Sequence, residues 1–103
     1  MLTRAIALKT AKEFVGKCAE QNINFNKVIL FGSTARDEAR DDSDIDLLLV
    51  SDQFGHDQWE NARLIARINK KYSTIEAHTY PTDYFATSDP FIDEVKKNGI
   101  EIK

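Results

Sequence analysis

The sequence is poor in cysteine and has no long apolar run. Only Cys18 among the 103 residues is a cysteine, so an internal disulfide cannot form and a cysteine-based metal site is not expected. No stretch approaches the roughly 18 apolar residues of a membrane-spanning helix, and the first residues lead into no signal-peptide core. We therefore expect a protein of the reducing cytoplasm without membrane attachment.

A surplus of basic charge is also missing. Lys and Arg number 14 against 17 Asp and Glu, which makes the formal net charge −3. Proteins that hold nucleic acid by its phosphates need clustered Lys and Arg, so we do not expect direct nucleic-acid binding. A hydrophobic content of 42% with 30% charged residues is typical of a soluble globular chain, and we expect one domain over residues 1–103.

The spacing of apolar residues predicts helices and strands in alternation. The predicted helices cover residues 3–21, 34–40, 58–72 (with Asp57 as its cap) and 90–97 (with Asp89 as its cap). The predicted strands cover residues 27–31, 44–51 and 74–80, with a brief edge strand at 100–102. This order indicates an α/β (α+β) fold, a small mixed sheet flanked by helices.

Two carboxylates open the second strand. Asp44 and Asp46 are two positions apart, so in a strand they project to the same face, where they repel each other unless a cation lies between them. The strand continues as apolar residues 47–50, and an Asp in such a strand costs free energy unless it is paired or bound to metal. The preferred ion is Mg²⁺. The alternative is a polar strand start at Asp44 and an Arg partner for Asp46.

A third carboxylate, Glu76, lies in the strand over 74–80 and is the candidate to complete the metal site. An exposed strand position is the alternative for it. His78 shares the Glu76 face of that strand. We expect His78 to be half-buried with its hydrogen bonds satisfied. The alternative is that it orients a carboxylate or contacts substrate. In the following helix pattern, Trp59 is expected to lie on the buried face.

The turn Gly32-Ser33 ends the first strand and can cradle phosphates. Glycine allows close approach of the backbone, and Ser33 can donate from its hydroxyl and its N–H group. Arg36 can contact a phosphate bidentately. Pairing of Arg36 with Asp37 or Asp41 stays open.

Together these residues resemble the nucleotidyltransferase superfamily typified by DNA polymerase β. The resemblance rests on Gly32-Ser33, the ten-residue spacing to Asp44-Ile45-Asp46, and the later strand carboxylate Glu76. Within the superfamily, the small size is similar to the minimal nucleotidyltransferase (MNT) proteins. One position departs from the pattern, because relatives often carry Gly where this chain has Asp37.

The resemblance implies a catalytic site in which Asp44, Asp46 and Glu76 bind two Mg²⁺ ions. Gly32, Ser33 and Arg36 would bind the triphosphate of ATP or another NTP. The implied reaction transfers a nucleoside monophosphate to a hydroxyl acceptor and releases pyrophosphate. MNT proteins are often paired with a helical HEPN protein in toxin–antitoxin systems, and in some pairs AMP is transferred to a tyrosine of that partner.

Two other functions remain open from the sequence. The chain could be a non-catalytic antitoxin that masks its partner by contact alone, although a pure binder has no reason to bring three acids together. It could also transfer a nucleotide to a small molecule such as an aminoglycoside, but proteins of that type usually carry an additional helical domain. A chain of this size needs its acceptor from another molecule or from a second copy of itself, so a homo-oligomer also stays open.

Overall fold

The computed structural model describes residues 2–103. Its helices are α1 (Arg4–Glu20), α2 (Gln58–Asn69), α3 (Thr82–Phe85) and α4 (Pro90–Asn98), with a 3-10 turn (Lys70–Tyr72) after α2. Its strands are β1 (Lys27–Phe31), β2 (Ile45–Val50), β3 (Ile75–Tyr80) and β4 (Ile100–Glu101). This arrangement confirms the expected α+β fold, a small mixed sheet flanked by helices.

The sheet has the strand order β3-β2-β1-β4. Strand β1 is antiparallel to both β2 and β4, whereas β2 and β3 are parallel. The register places Asp46 of β2 between Phe31 of β1 and Glu76 of β3. Parallel strands need a crossover connection, and α2 supplies it. The crossover thus brings residues 30 positions apart in the sequence side by side.

The two faces of the sheet are covered differently. On one face, α1 and α2 enclose a continuous core that includes Phe14, Leu47 and Ile65. On the other face, α4 buries Ile92 and Val95 against Leu48 and other residues of β1 and β2. Side chains alternate along a strand, so the neighbour of Leu48 on this second face is Asp46. The apolar cover ends at that point.

Side-chain caps begin the three longer helices. Thr3 accepts a hydrogen bond from Ile6 N at 3.1 Å, Asp57 accepts one from Trp59 N at 2.9 Å, and Asp89 accepts one from Phe91 N at 2.8 Å. Each cap satisfies a backbone N–H group that lacks a partner within its helix. The caps predicted at Asp57 and Asp89 are confirmed.

The predicted helix over 34–40 is wrong, because this segment forms turns. Asp37 has a φ of +59°, in the left-handed region that ends a right-handed helix and that Asp tolerates better than most residues. Its carboxylate accepts a hydrogen bond from Arg4 N at 3.0 Å, and Arg4 Nε donates to the carbonyl of Ala35 at 3.0 Å. The turn is therefore fixed to the start of α1, and Asp37, where the sequence departs from the expected pattern, holds a left-handed conformation.

The predicted buried face of α2 is also wrong in part. Trp59 is 82% exposed, whereas Asn61 is buried together with Ile65 and Ile68. Asn61 accepts a hydrogen bond from Gly55 N at 2.9 Å and donates to Gly55 O at 2.8 Å. These two bonds satisfy the amide and turn its side of the helix inward.

Element boundaries differ from the sequence expectation at several places. The helix predicted to reach residue 72 ends at Asn69 and continues as the 3-10 turn, and α3 had not been predicted. Asp44 lies just before β2 and not within it. Among residues 2–103, no helix is long and apolar enough to cross a membrane.

Candidate functional site

The central feature of the site is a pair of carboxylates on neighbouring strands. Asp46 and Glu76 are register partners in the parallel β2–β3 pair, so both project to the sheet face that α4 covers only in part. Asp46 is half-buried, and the Glu76 side chain is 56% exposed. The pair therefore has one member anchored in the sheet and one open to an incoming molecule.

His78 joins these carboxylates. Its Nε2 atom lies 3.6 Å from Asp46 Oδ1 and 3.9 Å from Glu76 Oε1. Both separations exceed hydrogen-bond length. The Nε2 atom is buried and has no hydrogen-bond partner within residues 2–103. The expectation that the His78 side chain is satisfied by a hydrogen bond is therefore not met at Nε2. Instead, His78 lies beside the two carboxylates.

Aromatic side chains hold the imidazole ring in place. The Phe31 ring packs edge-on against His78 with a centroid distance of 5.1 Å, and the Phe91 ring lies 5.9 Å away. Phe31 is itself the β1 neighbour of Asp46. Sequence analysis did not connect these phenylalanines with the site, because their proximity depends on strand register and on the docking of α4.

The Gly32 turn lies directly against Asp46. Gly32 has a φ of +77°, and a Cβ atom at this position would collide with Asp46 Oδ2. Only glycine combines the left-handed backbone with this close approach. The structure thus brings the predicted phosphate-binding turn and a predicted metal ligand into contact.

The other predicted site residues lie around this centre. Asp44 is exposed just before β2 and outside the group formed by Asp46, Glu76 and His78, although its charge acts on Glu76. Ser33 is half-buried in the turn after Gly32. Its neighbour Thr34 is fully buried, and the Thr34 Oγ1 atom has no hydrogen-bond partner in the described part of the chain.

Arg36 lies four residues after Gly32, in the turn segment that follows β1. Its side chain is exposed, with Nε 3.3 Å from Glu38 Oε2, an acidic neighbour that sequence analysis had not considered. Arg36 and Gly32 line a cavity of about 120 Å³ together with Phe31 and Phe91. The guanidinium is therefore near the turn and free enough in solvent to reorient toward a phosphate.

The carboxylates of Asp46 and Glu76 repel each other. Loss of hydration raises the pKa of Glu76 above its ordinary value, the negative charge of Asp46 raises it further, and His78 partly offsets this effect. Like charges disfavour joint ionisation of neighbouring carboxyl groups. A cation between the two side chains would remove that repulsion.

The donor set fits a divalent metal ion. Asp46, Glu76 and His78 each offer one ligand atom, and these three atoms lie within 4.8 Å of one another. The buried nitrogen without a partner and the space kept free by Gly32 agree with this assignment. Carboxylate oxygens are the usual protein ligands of Mg²⁺, and imidazole is a ligand of transition metals.

The fold is of the nucleotidyltransferase type. The family model described as "Nucleotidyltransferase domain" matches residues 11–102, and the chain belongs to this family. A crystal structure of a candidate nucleotidyltransferase from Sulfolobus solfataricus matches with a TM-score of 0.70 and 25% identity, over 95% of this chain and 80% of that one. Among curated proteins, none matches significantly.

These findings confirm the family resemblance inferred from the Gly-Ser turn and the spaced carboxylates. They support a nucleotidyl-transfer function, in a family whose members typically use a nucleoside triphosphate and a divalent metal ion. The roles of the individual residues stay predictions, to which the geometry above gives a physical basis.

Proposed function

We propose that this chain is a metal-dependent nucleotidyltransferase that moves AMP from ATP to a hydroxyl group of a helical HEPN-type partner and thereby acts as its antitoxin. The observation that carries the catalytic part is the contact between the Gly32 turn and Asp46, with Glu76 as the in-register neighbour. A phosphate-binding turn and two metal-ligating carboxylates are the parts that nucleotidyl transfer needs in one place.

The turn residues and the carboxylates have different roles in binding the triphosphate and the metal ions. Gly32 and Ser33 bind the β- and γ-phosphates, and Arg36 reorients from Glu38 to add charge at the triphosphate. Asp44, Asp46 and Glu76 would hold the two Mg²⁺ ions, which neutralise triphosphate charge and lower the pKa of the acceptor hydroxyl. Because the protein contributes mainly positioning and charge, no covalent intermediate with a side chain is required.

The acceptor hydroxyl comes from another protein, which approaches the sheet face beside Glu76. The Glu76 side chain is 56% exposed, and α4 reaches His78 through Phe91 without burying Glu76. The open region beside Glu76 is suited to a hydroxyl presented by another protein. The motif set that resembles MNT proteins supports a HEPN partner and transfer to a tyrosine.

The experiment uses this chain, the product of the adjacent gene and ATP labelled at the α-phosphate. We expect Mg²⁺-dependent label on a tyrosine of the partner, with loss of that label in Asp46→Asn. The control is Glu13→Gln, which changes an exposed acid of α1 far from the site and should leave labelling intact. The exposed Asp57 is less suitable as a control because it caps α2.

Masking by contact alone gives a different pattern. If Asp46→Asn neutralises the partner as fully as the unchanged chain and no label is transferred by either protein, the chain acts as a binding module and the catalytic proposal is wrong. Transfer of label to a small molecule, with none on protein, would contradict the proposed acceptor but not the reaction.

A further inference from the structure

The geometry points to His78 as a nitrogen ligand of the metal site, which makes the site favour Mn²⁺ over Mg²⁺. This inference rests on the proposed function, since it concerns the same metal centre. It goes beyond the carboxylate set by assigning a role to the one imidazole that faces Asp46 and Glu76.

The distances are those of ligands around a shared ion. At octahedral metal–ligand distances near 2.1 Å, neighbouring donor atoms are roughly 3 Å apart and opposite ones roughly 4.2 Å apart. The Nε2 atom of His78 is 3.6 Å from Asp46 Oδ1 and 3.9 Å from Glu76 Oε1, within that range. The same separations are too long for direct hydrogen bonds.

The surroundings of the ring leave Nε2 directed at the acids. This atom is buried without a hydrogen-bond partner in the described residues, and such a buried polar atom costs free energy unless it gains a partner. Phe31 and Phe91 pack against the ring and offer it no polar contact. A metal ion held with Asp46 and Glu76 is the partner that satisfies all three side chains.

An imidazole ligand changes which ions the site prefers. Mg²⁺ is a hard ion that binds oxygen donors and gives up its water reluctantly, whereas first-row transition metals accept nitrogen ligands readily. A site with two carboxylates and one imidazole should therefore bind Mn²⁺ more tightly than Mg²⁺. His78→Gln should weaken Mn²⁺ binding at least about tenfold and Mg²⁺ binding less, because the lost ligand matters most to the softer ion.

The test reads metal ligation directly from bound Mn²⁺, without relying on activity. Pulsed EPR detects the coupling between Mn²⁺ and a ligating nitrogen. The chain has two histidines, and the other one, His56, is exposed and lies 3.0 Å from Asp83 through its Nε2 atom. The variant His56→Gln, labelled with ¹⁵N-histidine, therefore leaves His78 intact as the only labelled residue.

We expect ¹⁵N coupling in labelled His56→Gln and its replacement by ¹⁴N coupling in the unlabelled variant. Mn²⁺ bound without any histidine coupling, but released in Asp46→Asn, would overturn the role of His78 while leaving the proposed metal site standing. If the protein binds no Mn²⁺ and also gains no thermal stability from Mg²⁺ with ATP, both this inference and the proposed function are wrong.

Discussion

The two faces of the sheet differ in what their side chains need. Under α1 and α2, Phe14 and Leu47 are fully buried and satisfied by apolar contacts alone. On the opposite face, Asp46 and Glu76 repel each other and His78 Nε2 lacks a partner. The closed face stabilises the fold. On the open face, the carboxylate repulsion and the unpartnered nitrogen would both be relieved by a cation. Side chains left unfavourable in this way are typical of functional sites.

The largest stability effect is expected on the closed face. Phe14→Ala removes a fully buried ring that packs on Phe25 and Tyr72, and it should lower the free energy of unfolding by about 3–5 kcal/mol. Urea unfolding measures the loss. The control is Trp59→Ala, which should change stability by less than about 0.5 kcal/mol because Trp59 is 82% exposed. Equal losses in the two variants would contradict the described core.

A smaller effect is expected at the Gly32 turn, which lies against Asp46. Gly32→Ala places a Cβ in a left-handed backbone and against Asp46 Oδ2, so we expect a loss of about 1–3 kcal/mol and weaker binding of Mg²⁺ with ATP. Gly55→Ala is the matched control, since a Cβ there meets no atom within 4 Å. A Gly32→Ala protein as stable as the control would show that the turn does not press on the carboxylate.

The smallest effect is expected from removing charge on the open face. The pKa of Glu76 is raised above its ordinary value of 4.5, so the folded state binds this proton more tightly than the unfolded state does. The stability that Glu76 contributes is therefore present below pH 4.5 and is lost as the pH rises through the raised pKa. At pH 7 without metal, Glu76→Gln should be slightly more stable than the unchanged chain.

Thermal unfolding in a chelator measures this difference. The rise in Tm should stay below about 3 °C, because solvent screens a side chain that is 56% exposed. With a divalent metal added the order should reverse, since only the unchanged chain keeps the full ligand set. A variant that is less stable than the unchanged chain at pH 7 in chelator would argue against repulsion between Glu76 and Asp46.

Local sequence patterns were sufficient for most of the fold. The apolar runs of β1 and β2 and the caps Asp57 and Asp89 are properties of a few neighbouring residues, and their predictions are confirmed. Trp59 was misplaced because the helical period permits two adjacent faces, and the choice depends on the hydrogen bonds between Asn61 and Gly55. Those bonds cannot be read from periodicity.

The site was only partly predictable for a related reason. Its acids could be proposed from their motif, but the side-by-side position of Asp46 and Glu76 depends on the parallel register that α2 sets between β2 and β3. The contacts of His78 with Phe31 and Phe91 depend further on where α4 docks. Asp37 is an intermediate case, since its unusual position was visible in the sequence but its left-handed backbone and its bond to Arg4 were not.

The central claim is that the open face binds a metal ion and a nucleoside triphosphate at Asp46 and the Gly32 turn. The most direct measurement is the Tm of the protein with Mg²⁺ and the non-hydrolysable α,β-methylene analogue of ATP, compared with Asp46→Asn. Ligand at ten times its Kd adds about 1.4 kcal/mol to the folded state, so we expect Tm to rise by at least about 5 °C in the unchanged chain and to stay constant in the variant. No rise in the unchanged chain, or an equal rise in Asp46→Asn, would contradict the account.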